Sequence, residues 1–262
     1  MINYIVACYM GPRRQINVNP LVYIKNHIKW LKTSKNIDNV IFVFNDASFI
    51  KNNEQAIAIQ LVKDAGYNYI RRTNEGFSYA AWQEGIKNII KDDRYNYSFL
   101  TEDDYIPSTP DIINRYLESM DGETGFIASY YQNDIIGING LINIPQHAGI
   151  ANGLISHKAV KDVISKGKNP FDLHLKEVIV TPSEKHYSIA IYNQYNYLKN
   201  IIQAGYKIKD ITKNYNTIFY STEGSHIGIH YYGNLEGICL MEPNFTILNS
   251  KDFSDIHYKS KM

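Results

Sequence analysis

Short apolar runs alternate with amphipathic stretches over the first hundred residues. The runs have the aromatic and β-branched character of buried strands, and they cover residues 4–10, 40–46, 67–73 and 97–103. Between them, apolar side chains recur at helical spacing from Leu21, Ala56 and Ala81 onward. This alternation is typical of βαβ units. It predicts an α/β fold whose mixed sheet is mainly parallel in the first half and is flanked by helices.

The second half has a less regular pattern. We expect, in order, two strands, a helix, a longer helix and a strand, over residues 125–131, 149–157, 158–165, 188–204 and 206–211. A loop should separate the first two strands, and Gly205 should end the longer helix as a C-cap. The sequence contains no internal repeat or low-complexity linker, so we expect one domain with a glycine-rich C-terminal tail.

The amino-acid composition argues against a nucleic-acid-binding, a disulfide-linked or a membrane-spanning protein. The 262 residues, 44% of them hydrophobic, can bury a full core without disulfides. With 27 basic and 26 acidic side chains, the net charge of +1 argues against nucleic-acid binding. Cys8 and Cys239 are the only cysteines, which excludes a disulfide framework and favours the cytoplasm. We expect neither a signal peptide nor a transmembrane segment, because no apolar run reaches about 20 residues.

Three adjacent carboxylates, Glu102, Asp103 and Asp104, follow the fourth predicted strand. Pro107 prevents the strand from continuing, so the acids should lie at its carboxyl end. In open α/β sheets the ligand crevice lies outside those ends, and hard oxygen ligands suit Mg²⁺ or Mn²⁺ carrying phosphates. By themselves, the acids fit equally well a solvated turn before a helix that starts near Asp111.

Other polar residues follow the first three predicted strands. Asp46 could accept hydrogen bonds from a base imide or a ribose hydroxyl, or it could cap a turn with Ala47 and Ser48. Gly11 permits a close turn before Arg13 and Arg14. Either arginine could pair with a diphosphate or form an ordinary basic turn.

The third predicted strand ends in another basic pair, Arg71 and Arg72, either of which could face phosphate. Gly76 then provides a sharp turn before a helix. Alone, this segment is an ordinary βα loop. The polar groups after all four strands share one predicted sheet edge, however, which favours a common ligand site over four unrelated turns.

With these residues at the strand ends, the chain resembles the GT-A nucleotide-sugar glycosyltransferases. The order of strands and helices matches that family over residues 2–210. The segment 44–48 (FNDAS) is similar to an acidic segment of that family, and 74–86 (NEGFSYAAWQEGI) is similar to its glycine turn and helix. Glu102, Asp103 and Asp104 stand where its DxD metal-binding acids stand, followed by Pro107. The resemblance implies a Rossmann-type mixed sheet with donor, acceptor and C-terminal lid segments over residues 1–120, 121–220 and 221–262.

The resemblance also implies an activity and its partners. A nucleotide-diphosphate sugar would be the donor, a glycan or other hydroxyl compound the acceptor, and Mn²⁺ or Mg²⁺ the cofactor. Asp104, with Glu102 directly or through water, would hold the metal, and Asp103 would contact the donor sugar or ribose. The implied donor-binding residues are Tyr9, Arg13, Asp46, Arg71, Gly76 and Asp103.

One departure from the family concerns the general base. Inverting members carry an acidic pair on the helix before a GYKI-like strand, and here Asn193 and Gln194 stand near that position. An amide cannot deprotonate a hydroxyl. Glu184 is therefore our first candidate for the catalytic base, with Asp103 as the other catalytic residue; the further candidates for the base are Asp172 and Glu177. A retaining enzyme, which needs no such base, stays open.

The C-terminal segment contains His226 and His230 among glycines. Some members of the family take a further metal ligand from a C-terminal histidine, so His226 is a candidate ligand or phosphate contact, or else a surface residue.

Two other functions stay open. One is a sugar nucleotidyltransferase, for which the loop after the first strand has few glycines and lysines. The other is a catalytically inactive carbohydrate- or nucleotide-sugar-binding module.

Overall fold

The computed structural model describes residues 1–11, 20–46, 53–107, 110–128, 150–173, 193 and 197–211, and the backbone of five short strands outside them. Its helices are α1 (Leu21–Leu31), α2 (Glu54–Asp64), α3 (Phe77–Ile89), α4 (Ile112–Ser119), α5 (His157–Ser165) and α6 (Lys199–Gln203). None of these helices is long and apolar enough to cross a membrane.

In the part of the chain that the structure describes, seven strands form the main sheet, and six shorter strands pair outside it. The main sheet contains β1 (Ile2–Cys8), β2 (Asn39–Asp46), β3 (Asn68–Thr73), β4 (Tyr97–Glu102), β6 (Thr124–Ala128), β11 (Gly153–Ser156) and β12 (Lys207–Asp210). The shorter strands are β5 (Tyr105–Pro107), β7 (Tyr131–Gln132), β8 (Ile136–Ile138), β9 (Ile142–Ile144), β10 (His147–Ala148) and β13 (Phe219–Ser221).

The strand order in the main sheet is β12-β6-β11-β4-β1-β2-β3. Strand β1 pairs in parallel with β2 and β4, and β2 pairs in parallel with β3. Strand β11 runs antiparallel to both β4 and β6. The carboxyl ends of β1, β2, β3, β4 and β6 therefore share one edge of the sheet, the carboxyl edge, and β11 begins there. The opposite edge is the amino edge.

Helices cover both faces of this sheet because side chains alternate along its buried strands. From β1, Tyr4 and Val6 point to a core shared with α1, α2 and α4. Ile5 and Ala7 point to a second core shared with α3, α5 and α6. The predicted fold class, a mixed α/β sheet that is mainly parallel in its first half and flanked by helices, is confirmed.

Two predictions in the second half were wrong. The loop expected between the strands at 125–131 and 149–157 contains the short strands β7 to β10. Of the long helix expected over 188–204, residues 188–192 and 194–196 lie outside the described residues, and Tyr197 and Leu198 form a turn before α6. Both side chains are buried there, with Tyr197 stacked on Phe171 at 4.5 Å, so core packing overrides the helical pattern.

Candidate functional site

The three predicted acids form a turn, residues 102–104, at the end of the central strand β4. We call it the acid turn. Asp103 and Asp104 are each only 2% exposed, whereas Glu102 is half-buried. The Asp103 N–H donates to the Ala7 carbonyl at 3.0 Å, and Asp103 Oδ2 accepts from the Tyr9 N–H at 3.1 Å. The acid turn is therefore joined to the end of β1, and the structure brings Tyr9 and Asp103 together through the Tyr9 backbone.

The first turn of α3 also reaches the acid turn. Ser78 Oγ donates a hydrogen bond to Glu102 Oε1. Gly76 precedes the helix with φ 70°, as the predicted sharp turn requires, and Phe77 follows with φ 56°. A bulky residue in the left-handed region is uncommon and is held there only by its surroundings. The sequence analysis missed Ser78, because nothing local distinguishes this serine from other residues of a helix N-terminus.

Ring N–H groups from the two flanking layers hold the end of β4. His27 Nε2, from α1, donates to the Glu102 carbonyl at 3.0 Å, and Trp82 Nε1, from α3, donates to the Thr101 carbonyl at 2.8 Å. Burial lowers the pKa of His27 to about 4, although the Glu102 carbonyl and the Asp104 charge oppose that shift. The imidazole is therefore neutral at neutral pH. Neither hydrogen bond was predicted.

The start of β11 adjoins the acid turn on its other side. Asn152 directly precedes β11 with φ 60°, and its Oδ1 accepts from Thr101 Oγ1 at 2.7 Å. Its backbone carbonyl accepts from the Tyr116 hydroxyl at 2.5 Å. Asn tolerates the left-handed region better than other residues with a Cβ. This second-half segment, which we expected to line the acceptor site, thus lies beside the predicted metal-binding acids.

Asp46 and Arg71 are paired with each other at the ends of β2 and β3. Arg71 Nη2 and Nε donate to Asp46 Oδ2 at 2.8 and 3.1 Å, and Gln55 Nε2 donates to the other oxygen. The side chains of Arg71 and Asp46 are 59% and 32% exposed, so the pair faces solvent. Beside it, Arg72 donates to Asn45 Oδ1, and the two predicted basic residues therefore differ in environment.

Comparisons with known proteins add the following. No known protein family matches the sequence, and no curated protein matches it. Among solved structures, the chain is similar to CMP:2-keto-3-deoxy-manno-octonic acid synthetase complexed with CTP, at 9% identity and a TM-score of 0.45 over 80% of this chain and 88% of the other. It is also similar to 4-diphosphocytidyl-2C-methyl-D-erythritol synthase, at 6% identity and 0.45 over 79% and 88%. Likenesses this weak carry no argument about activity.

Several predicted site residues lie outside the described residues: Arg13, Arg14, Glu177, Glu184, Gln194, His226 and His230. Their roles stay predictions. Asp172 lies within the described residues and forms an ion pair with Lys199, with Nζ and Oδ2 3.3 Å apart. Asn193 is fully buried.

The described ranges contain no group of three or more His, Cys, Asp or Glu side chains that could hold a metal ion. Mg²⁺, however, is commonly held by one or two carboxylates together with substrate phosphates. The acid turn supplies hard oxygen donors of this kind from Glu102 and Asp104. Its residues therefore fit such an ion chemically, and the use of Mn²⁺ or Mg²⁺ stays a prediction.

Proposed function

We propose that the protein is a metal-dependent glycosyltransferase that moves a sugar from a nucleotide-diphosphate sugar to a glycan or other hydroxyl acceptor. The observation that supports this most is the acid turn itself. Two buried neighbouring carboxylates, Asp103 and Asp104, lie at the carboxyl end of the central parallel strand of an α/β sheet. This is where such sheets bind ligands, and buried acids in that place are candidates for a functional role.

In this proposal the acid turn has two tasks. Asp104, with Glu102 directly or through water, holds a divalent ion, which when bound neutralises negative charge on the leaving diphosphate. Asp103, already fixed by the Tyr9 N–H, contacts the donor sugar or ribose. Ser78 orients the Glu102 carboxylate by its hydrogen bond.

Nucleotide and acceptor would bind on opposite sides of the acid turn. The Asp46–Arg71 pair, at the ends of β2 and β3, is the proposed nucleotide contact, with Gly76 letting the chain turn closely beside it. The segment before β11 lies on the other side of β4 and would face the acceptor. Glu184 remains the first candidate for the base that deprotonates the acceptor hydroxyl.

Thermal stabilisation tests the binding part of the proposal. The protein is heated with UDP, GDP, CMP or dTDP compounds, each with and without Mn²⁺, because a ligand that binds only the native state raises the melting temperature. We expect one nucleotide diphosphate to give a Mn²⁺-dependent rise that Asp104→Asn abolishes with the fold intact. The amide keeps the size of the side chain and removes its negative charge. A wild-type response that persists in Asp104→Asn would contradict the proposal.

A sugar nucleotidyltransferase is the second candidate, since enzymes of that class also use acids on an α/β sheet. The products distinguish the two reactions. A glycosyltransferase releases a nucleoside diphosphate from a nucleotide sugar, whereas a nucleotidyltransferase releases pyrophosphate from a nucleoside triphosphate and a sugar phosphate. Both releases should be measured on the same preparation. Ligand binding with neither product would favour the inactive binding module.

A further inference from the structure

Strand β4 loses one of its two neighbouring strands just before the acid turn, although it stays paired with β1 as far as Glu102. On one side, its pairing with β11 starts from Gly153 opposite Leu100, so the carbonyl groups of Thr101 and Glu102 lie beyond that pairing. Buried carbonyl oxygens need donors. Two aromatic ring N–H groups donate to these carbonyls, that of His27 from α1 and that of Trp82 from α3, and they approach from opposite faces of the sheet.

The hydrogen bond of His27 to the Glu102 carbonyl determines which ring nitrogen carries the hydrogen. A carbonyl oxygen can only accept, so Nε2 carries the hydrogen and Nδ1 carries the lone pair. Within the described part of the chain, Nδ1 is buried without a hydrogen-bond partner. The ring packs edge-on against Phe42, with centroids 6.4 Å apart, and lies 6.2 Å from Tyr4. The hydrogen bond of this buried ring is therefore made to the backbone at the acid turn.

Trp82 is held equally firmly on the opposite face. Its ring meets Tyr79 at 5.4 Å and Tyr197 at 6.2 Å, in both cases nearly perpendicular. The indole N–H can only donate, and it donates to Thr101. Because both rings are immobilised by packing, the two hydrogen bonds fix the position of consecutive carbonyl groups at the base of the acid turn.

We propose that His27 and Trp82 are positioning residues that set the direction of the carboxylates of the acid turn, and through them its affinity for a divalent ion. The consequence for metal affinity rests on the proposed function, whereas the effect on the backbone does not. Groups that orient the ligands of a metal without touching it commonly change its affinity about 10-fold to 100-fold when they are removed.

Four variants separate this role from general stability. His27→Gln keeps an N–H donor at nearly the same reach as Nε2, whereas His27→Asn places its amide too short to reach Glu102. Trp82→Phe keeps an aromatic ring and removes the N–H. His157→Asn is the matched control, since His157 is an equally buried histidine that bonds to Ser98 and the Tyr95 carbonyl at the amino edge.

Hydrogen exchange without ligand is the first measurement. We expect faster exchange at the amides of residues 103–105 in His27→Asn and Trp82→Phe, and wild-type exchange there in His27→Gln and His157→Asn. Unchanged exchange in His27→Asn would overturn the proposal, as would equal acceleration in His157→Asn.

Mn²⁺ titration is the second measurement, with the nucleoside diphosphate that stabilises the wild type. We expect the apparent Mn²⁺ affinity to fall about 10-fold or more in His27→Asn and Trp82→Phe, and to be restored in His27→Gln. Faster exchange at an unaltered Mn²⁺ affinity would overturn the functional part of the proposal. If the wild type itself shows no Mn²⁺ response, the proposed function fails, and the exchange data still decide whether His27 and Trp82 position the acid turn.

Discussion

The two edges of the main sheet use polar side chains in opposite ways. At the amino edge, neutral side chains form one continuous chain of hydrogen bonds across neighbouring strands. Asn68 donates to Asn39 at 2.9 Å, Asn39 to Asn3 at 2.7 Å and Asn3 to Ser98 at 3.3 Å. Ser98 Oγ lies 2.7 Å from His157 Nε2, and His157 Nδ1 lies 2.9 Å from the Tyr95 carbonyl. Each group satisfies the next, so this edge stabilises strand pairing.

At the carboxyl edge the buried polar side chains include charged ones, Asp103 and Asp104. Its acids are buried beside one another, and two non-glycine residues there, Phe77 and Asn152, have left-handed φ angles. Such features cost free energy and persist where the surrounding structure holds them, commonly at functional sites. The same strands thus carry stabilising polar contacts at one end and costly ones at the other, which is why we place the site at the carboxyl edge.

Gly153→Ala should give the largest loss of stability. It tests whether the backbone at the carboxyl edge is packed too closely for a side chain at this position. A Cβ at this position would lie 2.1 Å from Phe126 Cζ and 2.9 Å from the Ile150 carbonyl oxygen. We expect the free energy of unfolding to fall by about 3 kcal/mol or more, measured by urea denaturation. Gly122→Ala is the control, because nothing lies within 4 Å of its added Cβ. Equal stability of the two variants would contradict the prediction.

Acid should weaken the amino edge through His157. Burial lowers the pKa of this imidazole to about 4, against about 6.5 in the unfolded chain. Between these values the unfolded state binds the proton and the folded state does not. Neutral His157 therefore contributes up to about 3 kcal/mol to the free energy of unfolding. This contribution is complete above pH 6.5 and is lost as the pH falls toward 4.

Urea denaturation at a series of pH values measures this effect. In His157→Gln the free energy of unfolding should depend less steeply on pH over that interval, because the amide does not titrate. Parallel curves for the wild type and His157→Gln would show that His157 does not contribute to the pH dependence.

Asn3→Ala should interrupt the hydrogen-bond chain at its buried centre. The loss leaves Asn39 and Ser98 without their contacts to this amide, and we expect a destabilisation of about 2 kcal/mol. Asn68→Ala, at the exposed end of the chain, should cost much less. Under the proposed function, neither variant changes the Mn²⁺-dependent response to a nucleoside diphosphate. A loss of that response in Asn3→Ala at a temperature where it is folded would mean that the two edges are not separable.

Arg71→Gln should have the smallest effect on stability, below about 1 kcal/mol, because its ion pair with Asp46 faces solvent. Under the proposed function it nevertheless weakens nucleotide binding. Lys161→Gln is the matched control, since it removes another exposed pair, with Asp93, before the start of β4. Thermal stabilisation by the nucleoside diphosphate should fall in Arg71→Gln only. An equal response in both variants would remove Arg71 from the proposed site.

Much of the first half of the chain could be predicted from local pattern. The four apolar runs are strands β1 to β4 within a few residues, and β4 ends at Glu102, one residue before the expected end at Asp103. Strand β1 ends at Cys8 instead of Met10, and α3 begins at Phe77, directly after the glycine that was singled out. These features depend on residues two to four positions apart, whose alternation or helical spacing decides which face of an element is buried.

The contacts that complete the site depend on distant parts of the chain. His27 meets Glu102 across 75 residues, Thr101 meets Asn152 across 51, and Ser78 meets Glu102 across 24. The sequence around each of these residues does not predict which distant residue it contacts. The sequence by itself determined the elements and the end of β4 where the acids lie. Only the tertiary structure decided which side chains surround those acids, because strand order and helix packing bring together residues that the sequence separates.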